Sequence, residues 1–168
     1  MRRKTESSPR AQIANGNPER GPVPIPPPLL YLAALAAGIA LHHFFPLALL
    51  PRGWDYAVGA VLVAVSVSVI PSILMRFRRA RTPLDVRKPA TALIADGPFR
   101  FSRNPIYVSM TLLYAGLAFF LGNGWVLIFA VPVLLVMNFW VVRREERHLE
   151  AKFGEDYLHY KRTVRRWL

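Results

Sequence analysis

The chain has 168 residues, is 53% hydrophobic and carries a formal net charge of +12. This length fits one domain, and the composition is too apolar for a typical soluble domain or a soluble nucleic-acid-binding one. The absence of cysteine excludes disulfides, thiolate metal sites and a cysteine nucleophile.

The first 28 residues precede the apolar part of the chain. They contain five Lys or Arg residues and the proline-rich stretch "GPVPIPPP" at 21–28. Such a composition is typical of an extended, poorly packed segment. We therefore predict a disordered basic tail over 1–28 and a single domain over 29–168.

Three runs without charge follow, at 29–50, 56–75 and 105–142. A bilayer core about 30 Å thick needs about 20 apolar residues per helix, so the first two runs fit one span each. The third fits two spans, 105–121 and 125–142, with a turn at Gly122-Asn123-Gly124 between them. An open sheet edge is not viable in lipid, so the valine-rich second run is also predicted to be a helix. The sequence predicts an all-α integral membrane protein with about four transmembrane helices, the last two forming a hairpin.

The distribution of Lys and Arg predicts the orientation in the membrane. The N-terminal tail carries five, the first hairpin loop one and the second hairpin loop none. The segment 76–104 and the segment after Val142 carry eight each. The positive-inside rule therefore places both termini and the central loop in the cytoplasm, and we expect the protein in a bacterial inner membrane.

Few polar residues interrupt the predicted spans. His42 and His43 are adjacent, so their side chains point about 100° apart on a helix and do not chelate one metal readily. We interpret them as interfacial and predict no metal site. Pro46 and Pro71 lie late in the first two predicted helices, where we expect each to shape the helix.

The segment "GPFRFSRNPIY" (97–107) precedes the third predicted helix. Asn104 followed by Pro105 is typical of a helix N-cap with proline at the first helical position. This explains neither Arg103 nor Tyr107. Two alternatives remain for these residues: contact with lipid headgroups, or one wall of a functional site.

The fourth predicted helix brings a second charged segment, "RREER" (143–147), back to the same membrane face. The third and fourth helices are about 25 Å and 27 Å long at 1.5 Å per residue, and the turn makes them antiparallel neighbours. Helices are predicted over 143–153, ending at Gly154, and over 155–164. Asn138 and Glu145 are seven residues apart and should share a face, and Arg144 and His148 should lie on a neighbouring face. The segment is either a solvated helix flank or a pair of carboxylates opposite Arg103.

A site built from both segments would suit a ligand of mixed charge. Carboxylates suit an ammonium or sulfonium group, and arginines suit a carboxylate or phosphate. Aromatic side chains suit an adenine ring or a cation, and five are near: Phe99, Phe101, Tyr107, Tyr157 and Tyr160. S-adenosylmethionine combines these groups, so the composition is compatible with that ligand.

The segments "GPFRFSRNPIYVS" and "REERHLEAKFGEDYLHYKRTVRRW" resemble those of the isoprenylcysteine carboxyl methyltransferases and the related phospholipid methyltransferases, in their small prokaryotic forms. The family pattern is Gly-x-Tyr-x-x-x-Arg-His-Pro-x-Tyr, then a transmembrane hairpin, then Glu-Glu-x-x-Leu-x-x-x-Phe-Gly-x-x-Tyr-x-x-Tyr. Phe99 replaces the tyrosine and Asn104 the histidine of that pattern. Asparagine can replace the hydrogen bonds of a neutral histidine, but it cannot shuttle a proton.

The resemblance implies an integral membrane methyltransferase that uses S-adenosylmethionine and methylates a lipid-like or prenylated acceptor, with membrane lipids as partners and without nucleic acid or metal. The implied cofactor-binding residues are Gly97, Phe99, Asn104, Pro105, Tyr107, Glu145, Glu146, Tyr157 and Tyr160. The implied catalytic residues are Arg103, Arg144 and Glu145, with Arg143 or Arg144 facing an acceptor carboxylate.

The acceptor stays open at this point. A carboxylate, which needs no general base, is mildly favoured by the abundance of arginine. N-methylation of a phospholipid amine is the first alternative, in which Glu145 or Glu146 would take a proton. A small transporter subunit and an NADPH-dependent membrane reductase are the alternatives outside this class.

Overall fold

The computed structural model describes residues 25–51, 53–83 and 91–168, so most of the predicted tail lies outside the described residues. Within those ranges the chain is helical and contains no strand, as predicted. The helices are α1 (Pro27–Phe44), α2 (Trp54–Arg79), α3 (Pro105–Phe120), α4 (Gly124–Val136), α5 (Arg143–Phe153) and α6 (Glu155–Thr163). A 3₁₀ turn at Gly97–Arg100 precedes α3, and a π-helical turn at Met137–Val142 joins α4 to α5 without a break.

Helix α1 is shorter than the predicted span 29–50. It begins at Pro27, where proline is tolerated because the first turn needs no amide donor. It ends at Phe44, since Phe45 precedes Pro46 and adopts φ −132° and ψ 81°. A residue before proline is disfavoured in the helical region, so the chain leaves the helix there. Pro46 therefore follows the helix, and the prediction that it lies within the helix was wrong.

Helix α2 extends past both ends of the predicted run 56–75. It continues through Pro71 and ends at Arg79. Three described helices are long and apolar enough to cross a membrane: α1, α2 and the continuous helix Gly124–Phe153. Helix α3 has 16 residues and falls short of that length, so the structure supports three of the four predicted spans on this criterion.

The hairpin between α3 and α4 forms where the sequence predicts it. The Asn123 side chain accepts a hydrogen bond from the Val126 amide at 3.2 Å and donates to the Gly38 carbonyl at 3.2 Å. The Gly124 amide donates to the Leu47 carbonyl at 2.7 Å. These bonds fix the hairpin against the end of α1 and the loop that follows it.

Small residues let the helices approach closely. A Cβ atom on Gly116 would lie 2.7 Å from Val63 Cγ2, so α2 and α3 could not pack as they do with a larger residue there. The Ser66 hydroxyl donates to the Ser109 carbonyl at 2.7 Å across the same interface. Small residues and interhelical hydrogen bonds are typical of helix association in membranes.

The start of α1, the end of α2, the start of α3 and helices α5 and α6 meet at one end of the bundle. A cluster of buried side chains from Ile73, Phe99, Tyr157 and Tyr160 holds this end together. Residues 164–168, called here the C-terminal tail, cross this end after α6. The two charged segments identified in the sequence lie here, on neighbouring elements.

Candidate functional site

A cavity of about 300 Å³ lies at this end of the bundle. Apolar side chains form most of its wall, among them Pro26, Phe77, Leu93, Ile94, Ile106, Met110 and Leu149. Its polar wall comes from the start of α3 and from α5 and α6: Arg103, Asn104, Tyr107, Glu145, Glu146, His148, Tyr157 and Tyr160. The volume lies at the lower end of the range of small-molecule sites, and a few convergent polar groups in an apolar pocket are typical of such sites.

Glu146 lies at the centre of the charged part of this wall and is buried, with 6% of its surface exposed. Arg166 from the C-terminal tail binds it through two bonds, Nε to Oε1 at 3.0 Å and Nη2 to Oε2 at 2.7 Å. Arg103 Nη1 lies 3.0 Å from the same Oε1 atom. A buried carboxylate requires such compensation, because burial without a partner costs several kcal/mol.

The C-terminal tail is held by polar contacts on both sides of the cavity. Asn138 Oδ1 accepts hydrogen bonds from Arg166 Nη1 at 3.3 Å and from the Trp167 indole nitrogen at 3.0 Å. The Arg103 amide donates to the Arg165 carbonyl at 2.9 Å, and the Asn104 amide side chain donates to the Arg166 carbonyl at 2.8 Å. The tail thus joins the start of α3 to the π-helical turn.

Asn104 occupies the predicted N-cap position of α3, followed by Pro105 at the first helical position. Its side chain makes no capping hydrogen bond. The amide group binds the tail instead, since its donor is directed to the Arg166 carbonyl. The predicted start of the helix is confirmed, and the predicted reason for an asparagine there was wrong.

Glu145, the neighbour of Glu146, also lines the cavity and is less buried than Glu146. The Tyr107 hydroxyl donates a hydrogen bond to Glu145 Oε2 at 2.9 Å. Tyr107 is itself buried, with 3% of its surface exposed, so its ring holds the hydroxyl in place. A carboxylate fixed in this way presents its other oxygen lone pairs to a ligand in the cavity.

Two tyrosines of α6 complete the polar wall. The Tyr160 hydroxyl donates to the Phe99 carbonyl at 2.7 Å, and burial raises the pKa of Tyr160 to about 12 although Arg103 opposes the shift. Burial also raises the pKa of Tyr157; Glu146 adds to this rise and Arg103 opposes it. Both phenols therefore stay protonated at neutral pH and serve as hydrogen-bonding groups.

The structure brings eight of the predicted site residues into one cavity wall: Phe99, Arg103, Asn104, Tyr107, Glu145, Glu146, Tyr157 and Tyr160. Gly97, Pro105 and Arg144 do not line it. Gly97, with φ +58°, makes room for the Arg76 guanidinium, which an added Cβ atom would meet at 2.0 Å. Phe101, one of the five aromatic side chains noted above, is 75% exposed and points away from the cavity.

The roles of Arg166 and Trp167 were not predicted from the sequence. Both belong to "VRRW", which ends the segment that carries the family resemblance. The signal present in the sequence is a guanidinium and an indole placed 20 and 21 residues after Glu146. No local rule, however, predicts that the tail folds back onto α5. The contribution of the start of α1 to the apolar wall was also missed, because residues 25–28 were predicted to belong to the disordered N-terminal tail.

Two comparisons with known proteins bear on the family of this chain. A protein of Haemophilus influenzae, described only as uncharacterized, is 40% identical over 63 residues, which are 38% of this chain and the whole of that protein. The model of the phospholipid methyltransferase family matches residues 54–156, more than half of the chain. The match includes α2, the α3–α4 hairpin and both glutamates of the cavity. With its long apolar helices, the chain is an integral membrane protein and belongs to the phospholipid methyltransferase family.

Proposed function

We propose that the protein transfers a methyl group from S-adenosylmethionine to the amine of a phospholipid-like acceptor, at the cytoplasmic end of the bundle. The observation that carries this proposal is the Glu145 carboxylate, held by Tyr107 in the wall of a largely apolar cavity. An apolar wall suits a lipid chain, and the carboxylate suits a cationic group.

The residues of the cavity fit this cofactor. Glu145 offers a counter-charge to a sulfonium or ammonium group, and the rings of Phe99, Tyr157 and Tyr160 offer faces for an adenine. The cofactor would supply an electrophilic methyl group on a sulfonium sulfur and leave as a neutral thioether. The described part of the chain supplies the positions and charges around it.

Glu145 would also prepare the acceptor. A protonated amine has no free electron pair, so its proton must leave before the nitrogen attacks. Glu145 can accept that proton within the cavity, with its orientation held by Tyr107. The nitrogen electron pair then forms the new C–N bond while the C–S pair returns to sulfur. Exclusion of water by the apolar wall favours transfer to the acceptor over hydrolysis.

Methylation of a carboxylate is the second candidate. Such an acceptor needs no base, and it would be placed by a cation. The family resemblance implied Arg143 or Arg144 for this task, but neither of them lines the cavity. Arg103 does, and it is the observation that favours this candidate.

Ligand-dependent stabilisation of the detergent-purified protein tests the cofactor. S-adenosylmethionine and S-adenosylhomocysteine should raise the Tm, and NADPH should leave it unchanged. Stabilisation by NADPH alone would overturn the proposal in favour of a reductase.

Radiolabelled S-adenosylmethionine, added to membranes that contain the protein, tests the acceptor. We expect label in a lipid headgroup as an N-methyl group that survives mild base; a base-labile methyl ester would support the second candidate. Glu145→Gln should lower N-methyl transfer at least about 100-fold, the usual contribution of a general base. Glu150→Gln is the matched control, since Glu150 lies on the same helix and pairs with Lys161 outside the cavity wall.

A further inference from the structure

Arg103 carries donors that the described part of the chain does not use. Its side chain is 9% exposed and lines the cavity. Within the described residues, Nε and Nη1 have no hydrogen-bond partner. Nη1 lies 3.0 Å from Glu146 Oε1, but the contact is an ion pair without the alignment of a hydrogen bond.

Arg103 lacks an aligned bond to Glu146 because Arg166 already occupies that carboxylate. Arg166 approaches Glu146 with two aligned hydrogen bonds and engages both of its oxygens. Arg103 bonds to the Tyr157 hydroxyl, but its Nε and Nη1 atoms have the attraction of the Glu146 charge and no aligned acceptor. Two guanidinium groups and one carboxylate sum to a formal charge of +1 in this buried cluster.

Buried donors without an acceptor are rare, because each costs about 1–3 kcal/mol. A guanidinium with two unsatisfied nitrogens in a cavity wall is thus prepared for an acceptor that the described part of the chain does not provide. An oxyanion is the best match, since guanidinium donors form charge-assisted hydrogen bonds with carboxylate and phosphate oxygens.

We propose that the free donors of Arg103 bind an oxyanion of a ligand in the cavity, either the carboxylate of the methyl donor or the phosphate or carboxylate of the acceptor. The proposal rests on the proposed function for the identity of these ligands. In this proposal Arg103 binds the anion. Arg166 makes this possible because it occupies both oxygens of Glu146 and leaves the Nε and Nη1 atoms of Arg103 available.

The first part of the test, called here the methyl-donor arm, asks whether Arg103 binds the carboxylate of the methyl donor. It compares two non-reactive ligands by calorimetric titration of the full chain in detergent. These are S-adenosylhomocysteine and its decarboxylated analogue. If Arg103 binds the carboxylate of the methyl donor, wild-type protein should bind the decarboxylated analogue about 10- to 100-fold more weakly than S-adenosylhomocysteine. This range is that of a charge-assisted hydrogen bond. This comparison changes only the ligand, so it does not depend on the folding of a variant.

The same two ligands are then compared on the variants Arg103→Met and Arg103→Lys, with Arg100→Met as the matched control. Arg100 is exposed and does not line the cavity. Arg103→Met should reduce the difference between the two ligands to less than about threefold, and Arg103→Lys, which keeps the charge beside Glu146, should retain part of it. Arg100→Met should keep the full difference.

The acceptor arm uses the same proteins in nanodiscs of neutral lipid. Binding of phosphatidylethanolamine, of a long-chain carboxylate and of a long-chain amine without phosphate is compared. A preference for phosphatidylethanolamine or for the carboxylate, which both carry an oxyanion, over the amine without phosphate would identify the acceptor as the source of the oxyanion if it disappears in Arg103→Met.

The two proposals fail differently. Wild-type protein that binds no S-adenosylhomocysteine would overturn the proposed cofactor, and the acceptor arm would then decide the role of Arg103. If neither arm shows a preference for the anionic ligand that depends on Arg103, the anion-binding inference is overturned even where S-adenosylhomocysteine binds normally.

Discussion

Replacement of Arg166 by methionine should destabilise the protein, although only two residues follow it in the sequence. The substitution removes both aligned hydrogen bonds to Glu146 and the bond to Asn138. Glu146 stays buried and keeps the poorly aligned contact with Arg103. The Asn138 oxygen keeps the bond from Trp167.

The structure bounds the magnitude of this effect. Removing one partner of a fully buried ion pair costs about 3–5 kcal/mol. Here the Arg166 side chain is 28% exposed, so solvent screens part of the interaction, and Arg103 remains as a second cation. We therefore expect a loss of about 1–3 kcal/mol. At roughly 2–4 °C per kcal/mol for a chain of this size, the Tm should fall by about 4–8 °C at the middle of that range.

Thermal unfolding in detergent, followed by tryptophan fluorescence, measures this effect. Arg165→Met is the control, because Arg165 is the neighbouring arginine and its side chain is exposed. The double variant with Glu146→Gln should lose less stability than the sum of the single variants, since both weaken the same pair of side chains. Equal effects of Arg165→Met and Arg166→Met, or additive losses in the double variant, would refute the reasoning.

Three further substitutions test the helix interfaces and the cavity. Ser66→Ala removes a hydrogen bond between α2 and α3 and should cost about 0.6–1.7 kcal/mol by equilibrium unfolding, whereas Ser68→Ala removes a bond within α2 and should cost less. Gly116→Val would place side-chain atoms where α2 packs, so we expect a loss of at least about 1–3 kcal/mol by the same measurement, and an unchanged Tm would contradict the close approach. Tyr107→Phe keeps the ring but removes the donor to Glu145, so methyl transfer should fall while the Tm changes by less than about 5 °C, and undiminished transfer would show that Glu145 needs no orientation.

The helices could be predicted where the hydropathy needed to cross a membrane and a local helix-ending signal agree. The uncharged runs locate α2 and the α3–α4 hairpin, and Gly154, with φ +52°, separates α5 from α6 as predicted. The end of α1 was misplaced because hydropathy continues to Leu50, whereas the backbone restriction before Pro46 acts at once. Hydropathy reports where lipid is tolerated, and it does not report where a helix ends.

The residues of the candidate site could largely be predicted from the sequence, but the contacts between them only in part. Antiparallel packing of α3 and α4 was sufficient to bring Arg103 near the glutamates. It was not sufficient to predict that Arg166 would bind both oxygens of Glu146. That contact depends on the path of the C-terminal tail, which follows from the packing of α6 on the 3₁₀ turn and not from any pattern within the tail.

The π-helical turn explains the remaining difference between the expected and the observed site. In a regular α-helix Asn138 and Glu145, seven residues apart, would share a face. A π-helical turn accommodates one extra residue, so the face that contains Asn138 continues eight residues later, at Glu146. Arg166 contacts both of these side chains. The extra residue thus directs one glutamate to the tail and leaves the other, Glu145, facing Tyr107 in the cavity. The adjacent carboxylates therefore have different environments, one neutralised by two arginines and one bound to a neutral hydroxyl, which is the division expected if Glu146 stabilises the site and Glu145 acts on a ligand.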